Sequence, residues 1–344
     1  MLFSDPAQFQ TDLTLQELEK EVHDVYVQAW KELEEKAMER LASFEAALEA
    51  TQLQLAAEEI TQAEYQAWLF RQTAMNKNLT DLVDVLAADL HNANLIAARI
   101  ANGAMAEVYA LNANYAMFEI YQQLQATGQI PKAGLSFTLY NKKTVEALLK
   151  KRWSISADRG KNALLPKPSP QKKRELLKLR KTNPDELWNA EKLKSALTQG
   201  ILQGEGPSEI ANRFLNVAKM DENQAIRNAR TMTTNVQNMG RQQAYTDAAN
   251  MGIELTIEWY ATLDGVTRHS HRLMHGDRKP NKEDAKFKNG LRWPGDPEGP
   301  PGEVYNCRCT TVSWVKGYEH NAPRNSTWLK KQQQAFDEWQ NGGK

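Results

Sequence analysis

Cysteine is nearly missing from this 344-residue chain; Cys307 and Cys309 are the only two. Standing one residue apart, they cannot close an unstrained disulfide. A disulfide-held secreted scaffold is therefore excluded, and synthesis in a reducing cytosol is expected. Proline is missing between Pro6 and Pro131, and glycine is scarce there, so the first third lacks the usual punctuation of loops and turns. Long apolar runs are missing too. No stretch approaches the ~18–20 apolar residues that cross a bilayer, and the opening "MLFSDPAQFQTDL" lacks the basic and apolar regions of a secretory leader. No membrane anchor is expected. Net charge is zero, from 43 basic and 43 acidic residues, and no fixed-period repeat is visible.

The charge that is present is unevenly placed. Residues 1–130 hold 20 Asp/Glu against 7 Lys/Arg, whereas residues 141–181 hold 14 Lys/Arg against 3 acids. Such asymmetry points to two different environments or partners.

Residues 11–128 carry apolar side chains at helical spacing, as in Leu15, Leu18, Val22, Val25, Tyr26, Ala29 and Leu33. Thr14 and Glu17 form a capping-box pattern that predicts the first helix start, and breaks are expected near 55–62, 75–80 and 101–104. "LSFTLY" (135–140) alternates like a short strand. A helix is expected over 143–152, then an exposed basic loop over 158–184. "NPDELWNAEKLKSALTQGILQGEG" predicts a helix, and Ser208 is the expected cap of the next. A long helix over 222–250 ends at Gly252. "IELTIEWYAT" and "RCTTVSWV" read as strands, and 326–339 as an amphipathic helix. The fold class expected is mainly α with a smaller α+β C-terminal domain: an acidic helical arm (1–130) for protein contacts, a compact domain (131–320), and a C-terminal helix and tail (321–344).

Three of the six histidines lie in "TRHSHRLMHG" (267–276), and the cysteines close "PGEVYNCRC" (301–309). His271 and His275 would share a helix face, and Cys307 and Cys309 a strand face. With His269 as a substitute for His275, these residues are the candidate ligands of a zinc ion. Cys-x-Cys is tighter than the usual structural-zinc spacing, and the preferred reading is a packed knot, with the thiols buried as small hydrophobes and no cofactor. A Cys–His–Asp set of Cys307 or Cys309 with His271 and Asp264 has the letters of a nucleophilic centre, and His269, His271 and Asp264 those of a nuclease, but no feature predicts a pocket. Arg268 and Arg308 are expected to pair with Asp264, Asp296 or Glu303. Trp293 and Pro294, Pro297, Pro300 and Pro301 are expected to fix the intervening loop. "GILQGEG" lacks the Lys-Ser/Thr ending of a phosphate loop and reads as a helix stop and restart. The basic stretch, through Lys150, Lys151, Arg152, Lys172, Lys173 and Arg174, is a candidate for sequence-independent contact with double-stranded DNA.

The ordered set "RNARTMTTNVQNMGRQQAY", "EWYATLDGVTRHSH", "HG" and "LRWPGDPEGPPGEVYNCRC" resembles the Mu F-like head morphogenesis family of tailed bacteriophages, over roughly 225–315. The positions that carry the resemblance are Asp264, Thr267, Arg268, His271, Gly276, Pro294, Gly295, Asp296, Asn306, Cys307, Arg308 and Cys309. The chain departs from some members at Arg268, where they have a cysteine, and at Glu303, where they have a histidine. The resemblance implies a minor capsid protein of the virion, made in the host cytoplasm, that binds the portal and other head proteins and assists head assembly, DNA packaging or ejection. The rival expectation is a phage-delivered effector enzyme or a metal-dependent hydrolase using the His/Cys cluster.

Overall fold

A computed structural model describes residues 4–75, 77–130, 138–155, 164–166, 184–282, 284–318 and 324–342. Three long helices set the frame: α1 (Pro6–Ala56), α3 (Lys77–Thr127) and, later in the chain, α6 (Pro207–Asn250). At 1.5 Å per residue, a 51-residue helix such as α1 is roughly 75 Å long. Between them lie α2 (Gln62–Met75), α4 (Lys142–Arg152), the short strands β1 (Trp153–Ile155) and β2 (Leu164–Pro166), and α5 (Pro184–Leu202). Then follow β3 (Leu255–Tyr260), α7 (His269–Met274), β4 (Arg278–Pro280), α8 (Pro301–Val304), β5 (Thr310–Val315) and α9 (Ser326–Gln340).

The helix pattern of the first third is realised, with different ends. α1 starts at Pro6, because Asp5 caps it by accepting from Gln8 N at 2.9 Å and proline suits the first helical position. Thr14, the expected cap, instead bonds back to Gln10 O. The chain breaks at 57–61, as its spacing suggests, but α3 runs unbroken through 101–104. Gly103 there faces open space, and packing on either side outweighs its weak helix preference. The helix expected to start at Ser208 starts at Pro207, with Gly206 as cap. It runs through to Asn250 without the break expected before 222. Asp221 and Glu222 at that point are held by Asn94, Asn189 and His23. The strand expected over 135–140 lies partly outside the described residues, and 138–140 are not strand. Most of the 158–184 loop also lies outside them.

Among the described residues four apolar clusters lie along the three-helix frame, two of them much larger than the smallest and reaching its two ends. One joins Leu33, Leu41 and Phe44 of α1 to α2, the first half of α3, α5 and Phe214 of α6. The other joins the end of α3 and of α6 to the sheet, the two cysteines, and Phe336 and Trp339 of α9. The acidic segment packs along α6. Its charge is met by the basic remainder in Glu19–Arg230 (2.5 Å), Glu107–Lys142 (2.6 Å) and Asp5–Arg241 (2.8 Å). Gly240 marks a close helix crossing: a Cβ there would lie 2.4 Å from Tyr109 O of α3.

The sheet has order β4-β3-β5 and is antiparallel, with Ile257 opposite both Lys279 and Ser313. Leu255, Ile257 and Trp259 point inward and alternate with less buried neighbours, as the sequence pattern requires. β4, "RKP", carries no alternation and was invisible to periodicity.

Candidate functional site

The site lies where α6 meets the start of β5. α6 aligns Thr231, Thr234, Asn238 and Arg241 on one face, at the three- and four-residue spacing of a helix. Asn306 N donates to Thr231 Oγ1 (3.2 Å), and the Thr234 hydroxyl donates to Cys307 O. Asn238 is fully buried. Its Nδ2 donates to Pro294 O and Cys309 O, both at 3.1 Å, and its Oδ1 accepts from Thr311 N at 3.1 Å. Sequence reasoning missed these residues. Their signal was a polar stripe at helical spacing inside an otherwise buried helix.

Asn306 adopts a left-handed conformation, φ 54°, which asparagine tolerates better than most residues. That turn sends the backbone between the two cysteines along α6. Gly295, φ +80°, lets the "WPGDP" turn approach α6, where a Cβ would sit 3.0 Å from Asn235 N. Pro294 and Asp296 are buried beside it. Trp293 Nε1 donates to Asn235 Oδ1 at 3.3 Å, and the Arg292 guanidinium stacks on the indole at 4.5 Å.

Asp264 and Thr267 form a compact turn in which Thr267 Oγ1 donates to Asp264 Oδ1 at 2.9 Å. Arg308 pairs with Asp264. Burial raises the Asp264 pKa, but Thr267, Arg308 and Val266 N outweigh it and hold the carboxyl below its ordinary value. Arg268 departs from expectation: its guanidinium donates to Tyr305 O, not to a carboxylate. Asp296 likewise pairs with Arg292, through two bonds of 2.8 and 2.7 Å. Gly276, φ +82°, closes α7 by donating its N–H to Trp259 O at 2.9 Å.

His271, Cys307 and Cys309 converge, each at most 2% exposed. Cys307 Sγ and Cys309 Sγ both lie 3.5 Å from His271 Nδ1. His271 Nε2 lies 2.9 Å from Glu303 Oε2, within ion-pair reach but off the line of a hydrogen bond. The ring sits edge-on to Trp259, centroids 5.2 Å apart. Burial pushes the Cys307 thiol well up, while Cys309, hydrogen-bonded by the Cys307 thiol and beside His271, is held well below its ordinary value. His275, the expected fourth ligand, is turned away: its Nδ1 accepts from Ala261 N at 3.2 Å and its ring packs on Tyr260. His269 is exposed. Asp264 is engaged by Arg308, so the Cys–His–Asp set does not assemble. The three grouped side chains border a cleft of about 580 Å³, with Arg268, Arg308, Glu19 and Arg230 on its walls. That cleft was not anticipated from sequence.

The side chains of Lys150, Lys151 and Arg152, and residues Lys172, Lys173 and Arg174 entirely, lie outside what the structure describes. Among the described residues, no helix is long and apolar enough to cross a membrane.

Comparison with known proteins matches residues 191–312 to the family described as Phage Mu protein F like protein. The minor head protein GP7 of Bacillus phage SPP1 is 31% identical over 128 residues, 36% of this chain and 40% of that protein. An Enterococcus faecalis protein named NAD(+)–arginine ADP-ribosyltransferase EFV is 28% identical over 156 residues, 45% of this chain and 32% of that protein. The chain thus spans less than half the length of either relative, and no solved structure matches it significantly. The matched stretch contains α6, β3, the Asp264 turn and the Asn306–Cys309 segment, so the joint between them lies wholly within the part of the chain that is similar to the Phage Mu protein F like family.

Proposed function

We propose that this protein is a minor capsid, head morphogenesis component of a tailed bacteriophage, working by binding at the portal vertex rather than by turnover. One observation carries the reading: within the family-matched stretch, the polar side chains are spent on joining segments. Asn238, Thr234, Thr231, Asp264 and Arg308 bond to one another's segments across 44 to 75 residues of sequence. The kinship with a phage minor head protein supplies the setting. Beside the joint, Val266 (79% exposed) and Leu273 (70%) offer apolar area of the kind protein contacts use. Packaging or ejection roles enter through the basic stretch 141–181, which would bind DNA by counterion release and lose that binding steeply as salt rises.

The test is an in-frame deletion in the encoding phage, followed by electron microscopy of heads. Aberrant or non-infectious heads, restored by the gene in trans, are expected. Normal heads and titres without the protein contradict the reading. The cleft at the cysteines favours a second reading, an effector enzyme, in view of the relative named as a transferase. NAD consumption by the purified chain that disappears in Cys309→Ala would establish it in place of the binding role.

A further inference from the structure

The joint does not use the chemistry of His271, Cys307 and Cys309. Thr234 and Asn238 pin the backbones of Cys307 and Cys309, yet the His271 imidazole and both sulfurs turn to one point. From this geometry we infer a metal site: His271 Nδ1, Cys307 Sγ and Cys309 Sγ are the three protein ligands of one tetrahedral, zinc-class divalent ion, with its fourth position facing the cleft.

Distances carry the inference. With metal–sulfur bonds of about 2.3 Å and metal–nitrogen bonds of about 2.05 Å, a tetrahedral angle separates sulfur from nitrogen by roughly 3.5 Å. Both sulfur–nitrogen distances here are 3.5 Å, and the three ligand atoms lie within 4.8 Å of one another. Two thiols equidistant from one ring nitrogen make a chelate. A nucleophile with its base requires only one.

The surroundings of a metal site are also present. A ligating histidine turns its other nitrogen to a carboxylate, and Glu303 Oε2 lies 2.9 Å from His271 Nε2, close enough to pair though not aligned for a hydrogen bond, while accepting from Ser270 Oγ at 3.2 Å. Soft thiolate ligands with imidazole select zinc over magnesium or calcium. Among the described residues, no fourth His, Cys, Asp or Glu joins the group, and the cleft reaches all three ligands. The fourth ligand is therefore water or a donor from a molecule entering the cleft. Each sulfur–metal bond forms as a thiol proton leaves to solvent. The ion would tie α7 to the segment leading into β5.

The full chain, purified without a metal-affinity tag or chelator, is analysed by elemental mass spectrometry. About one zinc per chain is expected, as three protein ligands and one open position hold a single ion. Cys309→Ser and His271→Ala should lose it, whereas His275→Ala and His269→Ala keep it. Because ligand variants are at risk of misfolding, the wild-type apoprotein is also titrated with cobalt(II). It should show thiolate-to-cobalt charge transfer and the visible bands of a four-coordinate ion. A folded wild-type chain that takes up no zinc and gives no such bands overturns the inference. So does loss of the metal in folded His275→Ala. Neither result bears on the head-assembly reading, which needs no metal.

Discussion

Asp5→Ala should be among the most damaging single changes in the molecule. Asp5 and Arg241 are both fully buried and meet through two bonds of 2.8 Å. Arg241 also donates to Asn112 Oδ1 and Thr311 O, both at 3.0 Å, so one guanidinium ties the start of α1 to α3, α6 and β5. Removing one member of such a pair leaves the other charge buried without its partner, at a cost of about 3–5 kcal/mol. Loss of the helix cap at Gln8 N adds about 1 kcal/mol. Asp5→Asn keeps a capping oxygen and the shape, so the charge alone should account for most of the loss. Burial raises the Asp5 pKa, but Arg241 outweighs it and the net shift is downward. The pair's contribution is therefore fully present above the ordinary value of 3.8 and is lost as pH falls through the lowered folded value. Urea unfolding at neutral pH measures the effect. Asp5→Asn/Arg241→Met should recover part of the single-variant losses, with a coupling of about 2 kcal/mol. A cost for Asp5→Ala below about 1 kcal/mol would refute the reasoning from burial.

Glu119 predicts the opposite pH dependence. Burial lifts its pKa to about 7, only partly offset by Arg324, so the folded state holds its proton more tightly than the unfolded chain. The resulting stability is full below about 4.5 and falls by about 3 kcal/mol as pH rises to about 7. Glu119→Gln should flatten that fall; parallel profiles for variant and wild type would show the carboxyl is not responsible. Asn238→Ala removes bonds to Pro294 O, Cys309 O and Thr311 N and should cost about 3 kcal/mol in urea unfolding, at about 1 kcal/mol per bond. A loss under about 1 kcal/mol would mean that water replaces the side chain.

What the sequence revealed follows its periodicities. The 3.6-residue repeat of α1, α3 and α6 and the alternation of β3 report one buried face each, so both are readable locally. Helix starts were misread where two signals competed: Asp5-Pro6 over Thr14, and Gly206-Pro207 over Ser208. In each case proline at the first helical position accompanied the start that formed. The packing of the acidic segment on α6 was hidden, because Arg241 and Asp5 stand 236 residues apart and neither carries a local signal of its partner. The order of the motifs did bring His271, Cys307 and Cys309 together. Residue chemistry placed Asp264 among the partners of Arg308, and the pair forms; the sequence could not show that Asp296 turns to Arg292, or that His275 bonds Ala261. Those choices depend on the paths of loops, whose turns at Asn306 and Gly295 are fixed by contact with α6.

The central claim, that the protein works as a built-in part of a phage head, is tested most directly by quantitative mass spectrometry of purified particles from the encoding phage. The account predicts this chain in mature or precursor heads at a fixed, low ratio to the major capsid protein. Its absence from both, with the protein free in the lysate, would contradict it.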